Sequence, residues 1–510
     1  MAAQAYLMGI DIGATSVKAA AFDHQGTMHA SASAPNTPSP QPDAPAEWRI
    51  WDLEAMWASI CDCTQKVMTQ IGAQSKIEGV AVSGFGTDGI PMTRDGRMLY
   101  PCISWHCSRT AITKDQVNDK LGADRIYQTT GYHNYPINAL NRLVWMQQNA
   151  PEALEHADIW VSVQDYIVYR LTGEFATDRT YASTTMCLDI RKREWANDLL
   201  REAGVDPNLM GPLLESGSAV GQVDERGSKQ SGVPLGTTVA TGGHDTELAI
   251  IGAGVNDNET FLDINGTWEI LMALTEDCQP NQESFSHGLD WECHAQAGWW
   301  NAQALMIAGG AIEWVRDLFF AQNGYDQMIA DAQNTPPGAH HIYLLPAFVR
   351  GMGPAQAHDP LGTVLGIDTK TTRGDIARAT FEGLSFQFYQ QICALENCLN
   401  TKAKSVRVTG GGQKNPFWMQ MKADVAGRAL DVLQNVESTL LGAAVLAGIG
   451  GGAYQSIEDA LKQINIPVET IEPDEKRHAQ YQEHYQQVVS KIPPQLEPVY
   501  QTIHGYWDAR

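Results

Sequence analysis

The opening of the chain alternates between apolar runs and a short turn of small residues. An apolar run from Tyr6 reaches Asp11, a turn follows at Gly13-Ala14-Thr15, and a second apolar run ends at Phe22. Small residues allow a tight reversal of the backbone, and apolar runs bounded by turn residues are typical of strands. The pattern therefore predicts a β-hairpin with a carboxylate near the end of its first strand.

The same pattern returns near the middle of the chain. Residues 259–273 pass through an apolar strand, the turn Asn265-Gly266-Thr267 and a second apolar strand. The turn Asn265–Thr267 stands where Asp11–Thr15 stands in the first hairpin. This repetition predicts that the two halves of the chain are duplicates of one another, and it is not a short-period repeat.

Strands and helices alternate along the rest of the chain, which is typical of an α/β protein. A short buried strand is predicted at Gly79–Ser83, and another begins at Ser405 and runs into Gly410-Gly411-Gly412. We expect a domain boundary near residue 253, which gives domains of residues 1–253 and 254–510. Helices are predicted at Leu53–Gln70, Ala308–Phe320, Thr372–Leu399, Pro416–Ala426 and, as an exposed C-terminal helix, Asp474–Ile492.

Composition narrows the range of partners. The 510 residues are 43% hydrophobic and 18% charged, which is enough for two or three domains with sizeable cores. The formal net charge of −24 repels nucleic acids and anionic membrane surfaces, so we expect neither as a partner. The same charge repels a nucleotide, and any phosphate site must therefore rely on local backbone N–H groups and a metal ion.

Location and redox state follow from the cysteines and the apolar runs. The nine cysteines are scattered, and none forms a Cys-x-x-Cys pair. Such a pattern favours reduced thiols over disulfides or a zinc site. No apolar run approaches the roughly 18 residues that a membrane span requires, and the N-terminus does not resemble a signal peptide. We therefore expect a cytoplasmic protein.

Three glycine-rich turns have the composition of phosphate-binding loops. Without a Cβ, the backbone N–H groups of such turns can approach phosphate oxygens, and a Thr hydroxyl adds a donor. The turn Asp11–Thr15 also carries a carboxylate that can hold Mg²⁺ through water. Gly266-Thr267 repeats this form, and Gly410–Gly412, followed by Asn415, leaves room for an adenosine. Each turn alone also fits an ordinary tight turn, but their combination in a duplicated chain favours a nucleotide site.

The segment Gly242–Glu247 contains the candidate for proton transfer. Asp245 follows a β-rich run and lies next to two glycines, which allow a tight turn. A carboxylate placed this way in a cleft is suited to accept a proton from an alcohol. Taken alone, the Gly-His-Asp motif also fits a surface turn.

Together these motifs resemble the FGGY carbohydrate kinases of the actin-like ATPase group, and the likeness spans nearly the whole chain. The departures are Ala14, Lys18 and Arg142, which stand where the family usually has Thr, Arg and Lys. The matching segments are Asp11–Lys18, Asn138–Asn149, Gly243–Asp245, Gly266–Trp268, Gly309–Trp314 and Gly410–Asn415.

The resemblance implies an α/β fold of two ribonuclease-H-like domains with a cleft between them. The sugar and the first phosphate loop are expected in residues 1–253 and the nucleotide in residues 254–510, with ATP and Mg²⁺ as cofactors. Asp245 is expected to be the catalytic base and to face the metal, which Asp11 holds through water. The expected nucleotide contacts are Gly13, Thr15, Lys18, Gly266, Thr267, Gly309, Gly410, Gly411 and Asn415.

On the sugar side, the resemblance implies that Thr87 and Asp88 bind hydroxyl groups. Trp105 is expected to pack against the apolar face of the sugar, and His244 to donate a hydrogen bond to one of its oxygens. Two alternatives stay open from the residues themselves. Lys18 also fits a solvated strand residue, and Trp105 also fits a core residue.

The activity implied is transfer of the γ-phosphoryl group of ATP to a hydroxyl of a small-molecule sugar. L-Fuculose, phosphorylated at its primary hydroxyl to L-fuculose 1-phosphate, is the expected acceptor. Another ketose or polyol, such as xylulose, rhamnulose or erythrulose, is the alternative. Outside this class, a non-kinase actin-like ATPase or a sugar sensor stays open, and helical surface in the second domain leaves a homodimer open.

Overall fold

A computed structural model describes residues 4–72, 74–322, 324–349 and 360–507. The strands are β1 (Ala5–Ile12), β2 (Ser16–Phe22), β3 (Met28–Pro35), β4 (Ser39–Pro40), β5 (Arg49–Trp51), β6 (Lys76–Gly84), β7 (Gly89–Met92), β8 (Cys102–Ile103), β9 (Ile159–Ser162), β10 (Thr177–Asp178), β11 (Leu188–Asp189), β12 (Glu194–Trp195), β13 (Leu213–Leu214), β14 (Ala219–Gln222), β15 (Thr238–His244), β16 (Thr260–Asn265), β17 (Trp268–Thr275), β18 (Leu289–Cys293), β19 (Trp300–Ile307), β20 (Tyr343–Leu345), β21 (Thr363–Leu365), β22 (Ser405–Thr409), β23 (Ala429–Leu433) and β24 (Val468–Ile471).

The helices lie between and around these strands. They are α1 (Leu53–Ile71), α2 (Ala111–Leu121), α3 (Ala123–Thr130), α4 (Ala139–Asn149), α5 (Pro151–Glu155), α6 (Val163–Thr172), α7 (Arg179–Thr184), α8 (Asn197–Ala203), α9 (Glu225–Ser231), α10 (Asp245–Gly252), α11 (Gln282–Ser286), α12 (Gly309–Phe319), α13 (Gly324–Asn334), α14 (Arg373–Cys398), α15 (Pro416–Ala426), α16 (Ser438–Gly451), α17 (Ile457–Gln463), α18 (Glu475–Gln487) and α19 (Ile492–Trp507). No helix among the described residues is both long enough and apolar enough to cross a membrane.

The two predicted hairpins each begin a sheet. The first sheet has the strand order β14-β15-β6-β1-β2-β3, in which β1, β6 and β15 are parallel. The second has the order β18-β19-β17-β16-β22-β23-β24, in which β16, β22 and β23 are parallel. In both sheets an antiparallel meander continues from the first strand of the hairpin, and two parallel strands follow on its other side. The predicted duplication is therefore confirmed.

The predicted boundary near residue 253 falls in the short connection between α10 and β16. The later chain nevertheless returns to the first sheet, because α16 packs against β1, β6, β15 and α10. Leu440, Leu441 and neighbouring apolar residues of α16 share a buried cluster with Leu7 and Ala81 of the first sheet. The division into residues 1–253 and 254–510 stays a prediction, and α16 packs on the first sheet although it belongs to the second half of the sequence.

Most of the predicted helices are confirmed within one or two residues, and the C-terminal helix is the exception. The prediction Asp474–Ile492 was wrong in extent, because α18 ends at Gln487 and a separate helix, α19, begins at Ile492. The break lies at Val488, whose φ of −129° and ψ of −64° are not helical, and Pro493 and Pro494 follow in the first turn of α19, where a missing N–H is tolerated. The two helices pack back on the second half through buried Tyr481 and Tyr500.

Candidate active site

Asp245 and Asp11 meet at one edge of the first sheet. Asp11 lies near the end of β1, and Asp245 begins α10 directly after β15. The strand between them is β6, whose Ser83 pairs with both Asp11 and Gly243 in the parallel register. Because the carboxyl ends of parallel strands meet at the same edge, this register brings two distant carboxylates together.

The pKa values of both carboxyl groups are raised. Burial and the nearby charge of Asp245 together raise the pKa of Asp11 to about 7, while Lys18 opposes the shift. Burial also raises the pKa of Asp245, and the adjacent His244 opposes that shift. Two partly buried acids with raised pKa values at one site are typical of functional positions.

Asp11 has an oxygen suited to a cation. Its Oδ1 atom is enclosed and has no hydrogen-bond partner among the described residues. Within the same residues, no group of three or more acidic, His or Cys side chains forms a metal site by itself. Both observations fit Mg²⁺, which proteins usually hold through one or two carboxylates while water and substrate phosphates complete the shell.

The first glycine turn lies beside these acids and is pinned by Asn36. The backbone N–H of Asn36 donates to the Thr15 carbonyl at 2.9 Å, and its side-chain amide donates to the Gly13 carbonyl at 2.8 Å. Lys18 follows on β2, opposite Asp11 in the register. Its ammonium group forms a half-exposed ion pair with Glu437 at 2.7 Å, so a phosphate contact by Lys18 requires an exchange of partners.

The second glycine turn and the triple-glycine segment face one cavity of about 510 Å³. Five of the residues predicted for the nucleotide line this cavity: Gly266, Thr267, Gly309, Gly411 and Asn415. Gly410 directly precedes Gly411 in the chain. Four further lining residues, Ile312, Glu313, Gly412 and Lys414, lie inside the matching segments Gly309–Trp314 and Gly410–Asn415. The others, for which no motif gave a signal, are Tyr325, Asp326, Ile329 and Trp418.

The glycines allow the loops around this cavity to touch. The backbone N–H of Gly309 donates to the Gly266 carbonyl at 3.0 Å. Gly410 has a φ of +99°, which favours glycine, and a Cβ at Gly412 would overlap with the Asn265 side chain. A Cβ at Gly411, in contrast, would meet no protein atom within 4 Å. Gly410 and Gly412 are thus required by packing, and Gly411 faces open space.

The carboxylate of Asp88, which was predicted to bind sugar hydroxyls, lies in a buried network of protein hydrogen bonds. The carboxylate is fully buried: Oδ1 accepts from Arg142 Nη1 at 2.6 Å and from the Thr87 hydroxyl at 3.0 Å. Its Oδ2 accepts from Trp51 Nε1 at 2.6 Å and from the Trp105 backbone N–H at 3.0 Å. Since these four donors occupy the carboxylate, it has no capacity left for a sugar hydroxyl in this geometry.

Arg142 organises the loop that Asp88 supports. Its Nη1 atom also donates to the Thr87 carbonyl at 2.8 Å, and Thr87 has a φ of +71°, an uncommon conformation for a β-branched residue. Trp105 lies partly exposed on the same loop cluster and stacks on His106 with ring centroids 3.7 Å apart. In the sequence, Arg142 was noted because it stands where the family usually has Lys. No pattern among its sequence neighbours indicated that it pairs with Asp88.

His244 contacts Asp245 and a residue of the second sheet. Its Nε2 atom lies 3.3 Å from Asp245 Oδ1, and its Nδ1 atom lies 2.8 Å from Glu292 Oε2. Burial by itself would lower the pKa of His244, but Glu292 and Asp245 together raise it to about 9. Nδ1 also lies 2.9 Å from the Thr246 hydroxyl, whereas Nε2 has only the ion-pair contact with Asp245, so the predicted donation to a sugar oxygen would come from Nε2.

Comparison with known proteins agrees with this arrangement. Residues 6–252 match the N-terminal domain of the FGGY family of carbohydrate kinases, and residues 264–451 match its C-terminal domain. An L-fuculokinase of Escherichia coli O157:H7 is 34% identical over 91% of this chain and 96% of its own length. A xylulose kinase of Bacillus subtilis is 26% identical over 90% of this chain and 91% of its own length.

Solved structures share the fold. The crystal structure of xylulose kinase from Rhodospirillum rubrum superposes with a TM-score of 0.86 at 24% identity, and the match covers 97% of this chain and 100% of that one. The two family domains match in order and together account for most of the chain. The protein therefore belongs to the FGGY family of carbohydrate kinases.

Proposed function

We propose that this kinase transfers the γ-phosphoryl group of ATP to the primary hydroxyl of L-fuculose, giving L-fuculose 1-phosphate and ADP. The observation that carries the proposal is the meeting of Asp11 and Asp245 at the end of the first sheet, in a chain whose glycine turns line a separate cavity. In this proposal Asp11 is the ligand of the metal and Asp245 accepts the proton of the acceptor hydroxyl.

In the proposed reaction Asp245 accepts the proton of the acceptor hydroxyl. The hydroxyl oxygen bonds to the γ-phosphorus as the bond to the β-phosphate oxygen breaks, and ADP leaves. Asp11 holds Mg²⁺ through water, and Asp245 faces the same ion. When bound, Mg²⁺ neutralises the charge that the phosphates carry. Thr15, Lys18 and Thr267 contact the phosphates beside Gly13 and Gly266.

The remaining proposed contacts divide between the two ligands. Gly309, Gly410, Gly411 and Asn415 border the adenosine. Thr87, Trp105 and His244 contact the sugar, the last through Nε2, which lies 3.3 Å from Asp245 Oδ1, while Nδ1 stays with Glu292. Asp88 acts indirectly in this proposal, since its carboxylate holds the backbone of Trp105 and the guanidinium of Arg142. Residues 1–253 thus supply the sugar contacts and residues 254–510 the adenosine contacts.

The choice of L-fuculose rests on the curated relatives. The L-fuculokinase of Escherichia coli O157:H7 is 34% identical over 91% of this chain, while a xylulose kinase of Escherichia coli (strain K12) is 28% identical over 93% of it. Sugar kinases that share a scaffold differ in fine placement of polar groups, which motifs do not encode. Another ketose or polyol, such as xylulose, rhamnulose or erythrulose, is therefore the second candidate.

A panel assay tests the acceptor. We expect ADP release with Mg-ATP to rise strongly with L-fuculose and to stay near background with other ketoses, aldoses and polyols. Removal of Mg²⁺ by a chelator is expected to abolish the response, because the strongly acidic chain depends on the cation at the phosphates. A dominant response to a different sugar would replace L-fuculose and leave the proposed roles of Asp245 and Asp11 in place. Equal rates with and without chelator would refute the metal's role.

Gly411→Ala tests the nucleotide cavity separately. Because Gly411 lines the cavity and its new methyl group meets no protein atom within 4 Å, we expect unchanged thermal stability and a KM for ATP raised by about tenfold, or about 1.4 kcal/mol. The matched control is Gly505→Ala, where a Cβ also meets nothing within 4 Å, far along the chain on α19. A KM for ATP unaffected by Gly411→Ala would move the nucleotide out of this cavity.

A further inference from the structure

Glu292 is a buried carboxylate that the proposed mechanism does not use. It lies on β18, the edge strand of the second sheet, and its side chain is fully enclosed. Its Oε2 atom contacts His244 Nδ1 at 2.8 Å, although His244 belongs to the end of β15 in the first sheet. The two halves of the chain are therefore in contact at His244, the residue directly before Asp245.

The second oxygen of Glu292 is held from both halves. Its Oε1 atom accepts from Gln303 Nε2 at 2.5 Å and from the hydroxyl of Tyr132. Gln303 lies on the neighbouring strand β19, whereas Tyr132 follows α3 of the first half. With partners at both oxygens, the carboxylate has little freedom to rotate, so the position of Oε2 is defined before any ligand binds.

His244 transmits this position to Asp245. The two nitrogens of an imidazole ring lie on opposite sides, so a hydrogen bond at Nδ1 sets the direction of Nε2. Here Nε2 lies 3.3 Å from Asp245 Oδ1. The backbone of His244 is fixed as well, because its N–H donates to Thr180 Oγ1 at 2.8 Å. The remaining freedom of His244 is the rotation of its side chain. Glu292 restricts this rotation from the second half, and the Thr246 hydroxyl lies 2.9 Å from the same Nδ1 atom in the first half.

We propose that Glu292 is a positioning residue for the catalytic base, acting from the second half of the chain by holding His244 against Asp245. This inference rests on the proposed role of Asp245. Its consequence is that the carboxylate of Asp245 is aligned only while the two halves are in contact, because its neighbour His244 is oriented by a residue of the other sheet. Misplacement of a reacting group by about 1 Å can lower a rate about a hundredfold.

A double-mutant cycle in kcat tests the proposal. Glu292→Gln keeps the shape of the side chain, and we expect it to lower kcat by about tenfold to a hundredfold, with the KM for ATP little changed. In a His244→Asn background the same substitution is expected to have no further effect on kcat, because its route to Asp245 is already lost. Single-turnover assays with excess enzyme keep slow rates measurable. Full activity of Glu292→Gln, or the same loss in both backgrounds, would overturn the proposal.

The matched control is Asp290→Asn on the same strand. Asp290 is also a buried carboxylate that pairs with a histidine of the first half, His133, at 2.8 Å, but it does not contact His244. We expect Asp290→Asn to affect thermal stability and to leave kcat within about twofold of the wild type. An equal loss of kcat in Asp290→Asn and Glu292→Gln would mean that any weakened contact between the halves lowers the rate, and it would contradict a specific role of Glu292.

Tyr132→Phe provides a second route if Glu292→Gln folds poorly. It removes only the hydroxyl that holds Glu292 Oε1, and we expect a smaller decrease in kcat than for Glu292→Gln. In the His244→Asn background this decrease is expected to disappear. A decrease that persists there would contradict the proposal. Asp245→Asn, assayed in parallel, separates the two hypotheses. Activity retained in Asp245→Asn would refute the proposed function, whereas an inactive Asp245→Asn beside a fully active Glu292→Gln would refute only the positioning role.

Discussion

Replacing Asp245 by Asn is expected to lower kcat for phosphoryl transfer by about 10²-fold to 10⁴-fold, the range that a positioned general base contributes. Asparagine keeps the size of the side chain but cannot accept the proton of the acceptor hydroxyl. Nucleotide binding is expected to persist, because the cavity with the glycine turns is lined by residues of the second half and Asp245 is not among them. Single-turnover kinetics and calorimetric titration with Mg-ATP measure the two quantities separately.

Asp198→Asn is the control for this experiment. The side chain of Asp198 is 98% exposed on α8 and pairs with Arg201 on the same helix, so the same chemical change there is expected to alter neither quantity. Transfer that survives in Asp245→Asn would remove the residue from the role of base. Loss of Mg-ATP binding in that variant would instead make Asp245 chiefly a metal ligand.

Lys422→Met is expected to lower the free energy of unfolding by about 3–5 kcal/mol, the cost of removing one partner from a buried ion pair. The ammonium group of Lys422 is fully buried, contacts Asp263 Oδ2 at 2.5 Å and also contacts Glu269 Oε1. It lies 4.2 Å from the ring centroid of Phe388. Burial raises the pKa of Glu269 to about 8 even with the lysine present, which indicates how poorly this interior solvates charge. Urea unfolding at neutral pH measures the change.

The control uses a lysine that pairs at the surface. Lys462 contacts Glu458 at 2.7 Å one helical turn away, and both side chains are well exposed. Because water already solvates both charges, Lys462→Met is expected to give no measurable change in stability. Equally small effects of both substitutions would mean that Asp263 and Glu269 become hydrated or protonated in the folded protein when Lys422 is absent.

Lys422→Met is also expected to weaken ATP binding, because Asp263 and Glu269 flank the turn Asn265–Thr267.

The local features of the fold could be predicted because their causes are local. An apolar run on each side of Gly13-Ala14-Thr15 is enough to make a hairpin, and the same pattern around Gly266-Thr267 makes the second one. Helix α15 begins at Pro416, whose missing N–H suits a first turn, and Asn415 caps it through its side chain. The sequence pattern contains both signals, so the bounds Pro416–Ala426 were predicted correctly.

The kinase class also followed from motifs spread over the whole chain. The family match sets aside the alternatives of a non-kinase ATPase and a sugar sensor, since both domains of the carbohydrate kinase family are present in order. The same motifs led to five of the residues that line the cavity of the second half, because each is a glycine or a small polar residue at a strand end. The lining residues of α13 had no such signal, since their position depends on how that helix packs.

By itself, then, the sequence determined the two glycine-turn hairpins, most helix bounds, the duplicated sheets and the family. The tertiary structure alone decided which distant groups meet: Asp88 with Arg142, Lys422 with Asp263 and Glu269, and His244 with Glu292. The physical reason is that periodicity and turn chemistry act over a few neighbouring residues, whereas these pairs join residues 48 to 159 positions apart. A buried charge chooses its partner from whatever the packing of whole sheets and helices brings within hydrogen-bond distance, and no local pattern encodes that choice.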